Sequence, residues 1–332
     1  MMPIGVIERQ GHNVSLLLTS SSLPYIAHLF SVPARRTVLL STFFLAPRNT
    51  PDFDLSLALL TNLFGTLESL GLGKNLICAC GPYEDCSAAW SRRFPVFLTQ
   101  RNFSNLTVGP VLSALVIKLK WLLASQFLRH SYNVLYLDWD VGIIRPFFHL
   151  IDNVQHDFIS LSDTVSGANF FKRETLPMHK RFSCGINYGD ANPCASTGLW
   201  HVMAMKETAE FTNDVWNVSM ERTETWEQAV FNQLAPHWRN PLPFGPKRQI
   251  NFQIFPIPEV INVPLLFELP QEQFDHTRVT MLHCGYLHGL GDKINALRRG
   301  FNGTSFFKEV YAGEDVHLVD HAVHASVGAG GL

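Results

Sequence analysis

Two aspartates set one residue apart, Asp138-Trp139-Asp140, close the apolar run NVLYL that begins at Asn133. Asp is depleted in strands and seldom buried without a partner, so two carboxylates at such a place need an explanation. A hard divalent ion supplies one. Mg2+ or Mn2+ takes oxygen ligands and bridges one or two carboxylates to substrate phosphates, where it stabilises a departing diphosphate as a Lewis acid. The competing explanation is an Asx turn that ends the strand. Three residues alone do not choose between them.

The elements that must position this pair are legible from the hydrophobic pattern. Thr37 to Leu45 (TVLLSTFFL) predicts a buried strand. The run that follows Asp54, LSLALLTNLFGTLESLGLG, has apolar positions at helical spacing, with Gly71 and Gly73 to stop it. Asn75 to Ala79 and Val96 to Leu98 read as short strands. After Gly109-Pro110, Val111 to Arg129 reads as a long helix in which Lys118 and Lys120 interrupt an apolar surface. Asn133 to Leu137 is the next strand. This alternation predicts an α/β class, with a Rossmann-like, mostly parallel sheet flanked by helices, because parallel strands need crossover connections. Ligands of such sheets gather at the carboxyl ends of the strands, where Asp138 and Asp140 lie.

Beyond Pro146 the pattern loosens. Phe158 to Ser160 and Thr197 to Val202 read as strands, Lys206 to Met220 and Trp226 to Leu234 as helices, and Val279 to His283 as a late strand. The polar stretch through Lys180 suits an acceptor-side excursion, and the Pro-rich stretch 236–270 suits a wrap around the sheet's edge. We expect a variable leader over residues 1–35, a single domain over 36–312 and a flexible Gly/Ala-rich tail over 313–332.

With 332 residues the chain can bury a sizeable core. Its net charge of −2 and its 16% of charged residues give no basic surface for nucleic acid, so an anionic substrate must be met locally. Hydrophobic residues reach 46%, yet no run of about 20 apolar residues predicts a transmembrane span. The short apolar stretch at Leu16-Leu17-Leu18 makes no convincing secretory signal. Glycosylation sequons nonetheless stand at Asn13, Asn102, Asn105, Asn217 and Asn302. Six cysteines show no zinc-ligand spacing, and Cys78-x-Cys80 leaves buried thiols and a disulfide both open.

The segment KWLLASQFLRHSYNVLYLDWDVGIIRPF places Lys120, Tyr132, Asp138, Asp140, Val141 and Pro146 in a recognisable order. Downstream come Thr197-Gly198-Leu199-Trp200, then Glu227-Gln228 to Asn232, then His283-Cys284-Gly285. Over roughly residues 36 to 302 this series resembles the nucleotide-diphospho-sugar transferases of GT-A fold that include plant and algal arabinosyl-, xylosyl- and galactosyltransferases. The resemblance implies a retaining transfer from a nucleotide-sugar donor, a UDP-sugar foremost, to a glycan or glycoprotein acceptor. It implies Mn2+ or Mg2+ on Asp138 and Asp140, with His283 completing the protein ligands. Gly285 would let backbone approach the diphosphate and Lys293 would add charge there. Glu227 would orient sugar hydroxyls, Gln228 would lie near the anomeric carbon, and Thr197 and Gly198 would line the donor site. Lys120 is expected near the donor end of the sheet, with an exposed ammonium as the alternative, and Thr42 is expected to face the nucleotide. Relatives of this kind work in the Golgi lumen behind an N-terminal anchor, which this sequence does not display.

Two motifs depart from that pattern. Ser196-Thr197-Gly198 stands where the family has Asn-Thr-Gly, and Glu227-Gln228 where it has Asp-Gln. These departures keep open a non-catalytic nucleotide-sugar or glycan-binding module on the same fold. A haloacid-dehalogenase-type phosphohydrolase also writes Asp-x-Asp-Val after a strand, but on its first strand and with a Gly-Asp-x-x-x-Asp downstream. Here Gly291-Asp292-Lys293 has no such partner. No side chain stands out as a nucleophile, which favours front-side displacement over a covalent intermediate. Of the aromatic residues that could stack on a sugar ring (Trp139, Trp200, Trp216, Trp226 and Trp238), Trp139 is expected to point away from the site and to be structural.

Overall fold

Val38 and Leu40 look to one side of their strand and Leu39 and Phe43 to the other, and all four are buried. A strand apolar on both faces belongs inside a sheet covered on both sides. The computed structural model describes residues 6–10, 13–17, 23–44, 50–81, 96–99, 110–152, 155–162, 195–222, 225–239, 249–256, 259–262, 278–285 and 289–300. In chain order the strands are β1 (Val6–Gln10), β2 (Asn13–Leu17), β3 (Thr37–Phe44), β4 (Leu76–Gly81), β5 (Val96–Thr99), β6 (Asn133–Leu137), β7 (Val141–Ile143), β8 (Phe158–Ser162), β9 (Ala195–Val202), β10 (Phe252–Ile254), β11 (Val260–Asn262) and β12 (Met281–His283). The helices are α1 (Leu23–Phe30), α2 (Pro51–Ser69), α3 (Pro110–Arg129), α4 (His149–Asp152), α5 (Lys206–Glu221), α6 (Glu227–Arg239) and α7 (Leu290–Gly300).

Nine strands form one sheet in the order β1-β2-β5-β4-β3-β6-β9-β8-β10, and β11-β12-β7 form a second, three-stranded sheet. From β2 through β6 the large sheet is parallel. β9 runs antiparallel to both β6 and β8. The α/β class and the mostly parallel sheet expected from the alternation are therefore borne out.

Each face has its own core. On one face α1, α3, α5 and α6 pack Ile26, Trp121, Phe127, Phe211 and Phe231 against Val38, Val134, Tyr136 and Trp200. The rings of Trp121 and Trp200 stack at 5.1 Å, and Tyr136 continues the stack at 5.1 Å from Trp200. On the other face Leu57, Leu60, Leu63 and Leu67 of α2 meet Leu39, Leu135, Leu137 and Leu199, together with Val141, Val260 and Met281 of the small sheet. A third cluster joins Leu59 of α2 and Ile294 and Leu297 of α7 to Ile261 and Leu282. Trp139 is partly buried between the second and third clusters, so it is packed where the turn was expected to send it.

Some expectations need correction. The fold begins before Arg36: β1 and β2 extend the large sheet, and Leu23, Ile26 and Ala27 of α1 join the first core. A two-turn helix between prolines is too short to show periodicity in a window of helical length. Lys118 and Lys120 interrupt the apolar surface of α3 as expected, but the exposed ammonium held open for Lys120 is not found. Both are buried, Lys120 to 1% exposure, and the Lys118 ammonium donates to the Ser219 carbonyl at 2.8 Å. The Pro-rich stretch holds β10 at the edge of the large sheet, as a wrap requires, but also β11 in the small one. Cys78 and Cys284 are free and buried. The polar stretch through Lys180 expected as an acceptor-side excursion, the tail over 313–332, Cys86, Cys184, Cys194, and the sequons at Asn102, Asn105 and Asn302 lie outside the described residues.

Candidate metal and donor site

At the end of β6 the chain leaves the large sheet, turns through Asp138–Asp140, and enters β7 of the small one. The Val141 N–H closes this turn on the Asp138 carbonyl at 3.0 Å. The Asp138 carboxylate is therefore free to look elsewhere, and it meets Tyr136 and His283. That answers the Asx-turn alternative: backbone makes the turn.

Because β9 runs antiparallel to β6, its first residues lie beside the end of β6, and the Asp138 N–H donates to the Gly198 carbonyl at 2.7 Å. The register of β9 against β8 jumps from Trp200↔Ser160 to Ser196↔Leu161, so Thr197 to Leu199 bulge out of that pairing. Bulges of this kind free a strand's polar groups for other partners. From the small sheet, β12 pairs antiparallel with β7, placing His283 opposite Val141 and the Cys284 N–H 3.2 Å from the Asp140 carbonyl. The two sheets thus deliver Asp138, Asp140 and His283 to one corner.

Each of these three side chains has one atom held by the protein and one turned inward. The Tyr136 hydroxyl donates to Asp138 Oδ1. Lys293 Nζ lies 2.5 Å from Asp140 Oδ2. His283 Nδ1 lies 2.9 Å from Asn262 Oδ1, and the Asn262 amide nitrogen donates to the Ser162 carbonyl at 2.8 Å. Asn262 therefore presents its oxygen to an Nδ1–H of His283, which leaves Nε2 as the ring atom turned inward and available to a metal once it carries no proton. Nε2 lies 3.6 Å from Asp138 Oδ2 and 3.5 Å from Asp140 Oδ1. Asp140 Oδ1 is buried and has no hydrogen-bond partner. An unpaired buried carboxylate oxygen is costly, and a cation at this point removes the cost.

The geometry fits a divalent ion. Two donors each about 2.1 Å from one ion stand at most about 4.2 Å apart, and the 3.6 Å and 3.5 Å from Nε2 to the two carboxylates satisfy that. All three ligand atoms lie within 4.8 Å of one another, and among the described residues no other His, Cys, Asp or Glu group meets this criterion.

Two glycines make the corner possible. A Cβ on Gly198 would stand 2.2 Å from His283 Nε2 and 2.9 Å from Asp138 Oδ2. A Cβ on Gly285 would stand 2.6 Å from His283 Cε1. Both glycines therefore clear space for the imidazole, a reason for Gly285 distinct from the expected approach to phosphate.

Around the corner the charges are arranged to keep the Asp138 carboxylate ionised. Burial works against the charge of Asp138, but Lys120, His283 and the Tyr136 hydroxyl outweigh it, and its pKa lies below the ordinary carboxylate value. Burial and the neighbouring Asp138 push the Tyr136 phenol well up, so it stays a donor. Burial weighs against the Lys293 ammonium, yet Asp140 holds its pKa above the ordinary lysine value.

Lys120 is not at the surface: its ammonium bonds Glu227 Oε1 at 2.9 Å and the Thr197 carbonyl at 3.0 Å, and it lies 4.9 Å from the Tyr136 ring centre. Thr197 Oγ1 donates to Glu227 Oε1 at 2.9 Å, and the Thr197 N–H donates to Gln228 Oε1 at 3.1 Å. Glu227 is 2% exposed, so its carboxylate holds the bulge and Lys120 rather than standing open to a sugar. Thr42 is also buried, and its hydroxyl lies 2.8 Å from the Tyr136 oxygen instead of facing a nucleotide. Tyr136 and Asn262 were not singled out from sequence. Tyr136 could have been, since two residues before Asp138 on a strand is the same face. Asn262 closes the apolar run VIN as Asp138 closes NVLYL, but among prolines the strand itself is hard to see.

Fold and site together describe an α/β protein with a candidate metal site of Asp138, Asp140 and His283 at a strand end, the place where such sheets gather their ligands. The sequence profile of the nucleotide-diphospho-sugar transferases matches residues 83–297, and the chain belongs to this family. It is a glycosyltransferase-family enzyme whose donor class is a nucleotide-sugar, and the phosphohydrolase reading falls. No curated protein matches the chain in sequence. Among solved structures, a glycosyltransferase involved in glycosylation of the major capsid of PBCV-1 is 14% identical, covering 79% of this chain and 98% of its own, with a TM-score of 0.43. The galactosyltransferase LgtC, in complex with donor and acceptor sugar analogs, is 11% identical over 79% of this chain and 95% of its own, at 0.43. Mouse xyloside xylosyltransferase 1 is 12% identical over 75% and 98%, at 0.42. The family assignment rests on the profile match.

Proposed function

We propose that the chain transfers a sugar, with retention of anomeric configuration, from a UDP-sugar to a hydroxyl of a glycan or glycoprotein. The observation that carries this reading is the convergence of Asp138 Oδ2 and Asp140 Oδ1 on His283 Nε2, with the Asp140 oxygen buried and without a hydrogen-bond partner. Mn2+ or Mg2+ bound there would supply Lewis-acid stabilisation of the diphosphate as it leaves. The protein's own part is positioning. Lys293, paired with Asp140, sets a positive charge beside the corner for the diphosphate. The bulge at Thr197–Leu199, braced by Gln228, Glu227 and Lys120, shapes the wall beside Asp138.

Glu227 is committed to Lys120 and Thr197, which supports front-side displacement rather than attack by a protein carboxylate. In that displacement the bond from the anomeric carbon to the diphosphate oxygen breaks as the acceptor oxygen bonds the same face. The departing oxygen takes the acceptor's proton.

The test is a panel of UDP-sugars with Mn2+, followed by UDP release. Wild-type protein should release UDP from at least one donor, and Asp140→Ala should abolish release. UDP binding without turnover across the panel, with and without acceptor glycans, would instead support the non-catalytic module that Ser196 and Glu227 keep open.

A further inference from the structure

Asp138 has two carboxylate oxygens, and the geometry points to a dedicated device that decides which one is offered to the ion. We infer that Tyr136, backed by Thr42, is a positioning residue of the metal site: it occupies Asp138 Oδ1 and so makes Asp138 a one-oxygen ligand through Oδ2. The inference rests on the metal site proposed above.

The strand geometry builds this device without spare parts. β3 and β6 are parallel neighbours with Leu40 opposite Tyr136, which puts Thr42 one pleat further along the same face. Val38 and Leu40 on β3, with Val134 and Tyr136 on β6, all face the same core, so Thr42 and Asp138 complete two adjacent columns. Thr42 Oγ1 lies 2.8 Å from the Tyr136 oxygen, and Tyr136 in turn bonds Asp138 Oδ1. Tyr136 has one proton and Asp138 is an acceptor, so the proton goes to the carboxylate and Thr42 donates to the phenol oxygen. The chain Thr42 to Tyr136 to Asp138 therefore has a fixed direction. Its ring end is equally fixed, since Tyr136 is fully buried in the stack with Trp200. A carboxylate on a rigid phenol cannot swing to bind an ion through both oxygens. Held to one, it leaves more of an octahedral ion's positions to the donor's phosphate oxygens.

The experiment is Mn2+ affinity of the full chain by calorimetry, with thermal unfolding measured alongside. Tyr136→Phe removes the hydroxyl and keeps the stacked ring, so the melting temperature of the metal-free protein should stay within a few degrees. Mn2+ affinity should fall about 10- to 100-fold, the usual effect of removing an outer partner of a metal ligand. Thr42→Val should weaken Mn2+ binding less, and the double variant should be no worse than Tyr136→Phe alone, because Thr42 acts only through the phenol. Unchanged or tighter Mn2+ binding in Tyr136→Phe overturns the inference, as does additivity in the double variant. If Tyr136→Phe unfolds, Thr42→Val decides: wild-type affinity there refutes the relay. Failure of the wild type to bind Mn2+ is a different outcome, for it removes the metal site itself.

Discussion

At the scale of single residues the corner is governed by how little room it has. Gly198 stands against two of the three ligand groups, His283 and Asp138, with its missing Cβ directed at His283 Nε2. Gly198→Ala must push the imidazole or the bulge away, and a displacement of about 1 Å at a reacting centre is worth about 100-fold in rate. We expect kcat/KM for donor hydrolysis to fall by about that factor, with weaker Mn2+ binding. Near-wild-type kinetics would show that the His283 ring is not held where the ion needs it. Gly285→Ala, whose Cβ would meet Cε1 and Nδ1 of the same ring, should act in the same direction.

At the scale of elements, α3, α6 and β9 meet in a buried ion pair. Lys120 on α3 and Glu227 on α6 are 1% and 2% exposed, and both engage Thr197 on β9. Removing one member leaves the other charged in an apolar surround, whereas removing both charges costs far less. Lys120→Met should destabilise the fold by about 3–5 kcal/mol, and adding Glu227→Gln should recover most of that, as read from denaturant midpoints. A single variant as stable as wild type would mean that water reaches the pair. This contact also marks what the sequence could not say. β3, β4, β6, α2 and α3 were legible because long apolar runs with turn residues between them encode their own boundaries. The Asp138-Trp139-Asp140 turn was legible because carboxylates after such a run are unusual. Asn262, the Thr42 partner of Tyr136 and the burial of Lys120 were not, because a hydrogen bond between residues such as Asn262 and His283, or Thr42 and Tyr136, depends on which strands become neighbours. The short strands β7, β10 and β11, of three residues each, carry no period of their own.

At the scale of the whole molecule the large sheet's core contains a histidine pair that should set an acid limit. His201 on β9 is 2% exposed, its Nδ1 lies 2.8 Å from His156 Nε2, and burial, then the neighbouring His156, lowers its pKa from 6.5 to about 3. The unfolded chain therefore takes up a proton at His201 more readily than the folded chain does. Stability is fully present above about pH 6.5 and declines as pH falls from there toward about 3. His201→Gln should flatten that part of the curve, measured as the denaturant midpoint against pH; an identical slope in the variant would place the acid sensitivity elsewhere. His201 alternates with Trp200 along β9 and sits across from Leu135 and Ile159, so the pair belongs to the face of the sheet opposite the Tyr136–Trp200 stack.

The turn at Asp138–Asp140 is also where the chain passes from the nine-stranded sheet to the three-stranded one, while His283 belongs to the smaller sheet alone. An ion seated there would work as a rivet through two plates, fastening the layer that carries β6 to the layer that carries β12. Its loading and unloading would then change how firmly those plates are joined, and a cation brought by the donor would become part of the joinery of the fold.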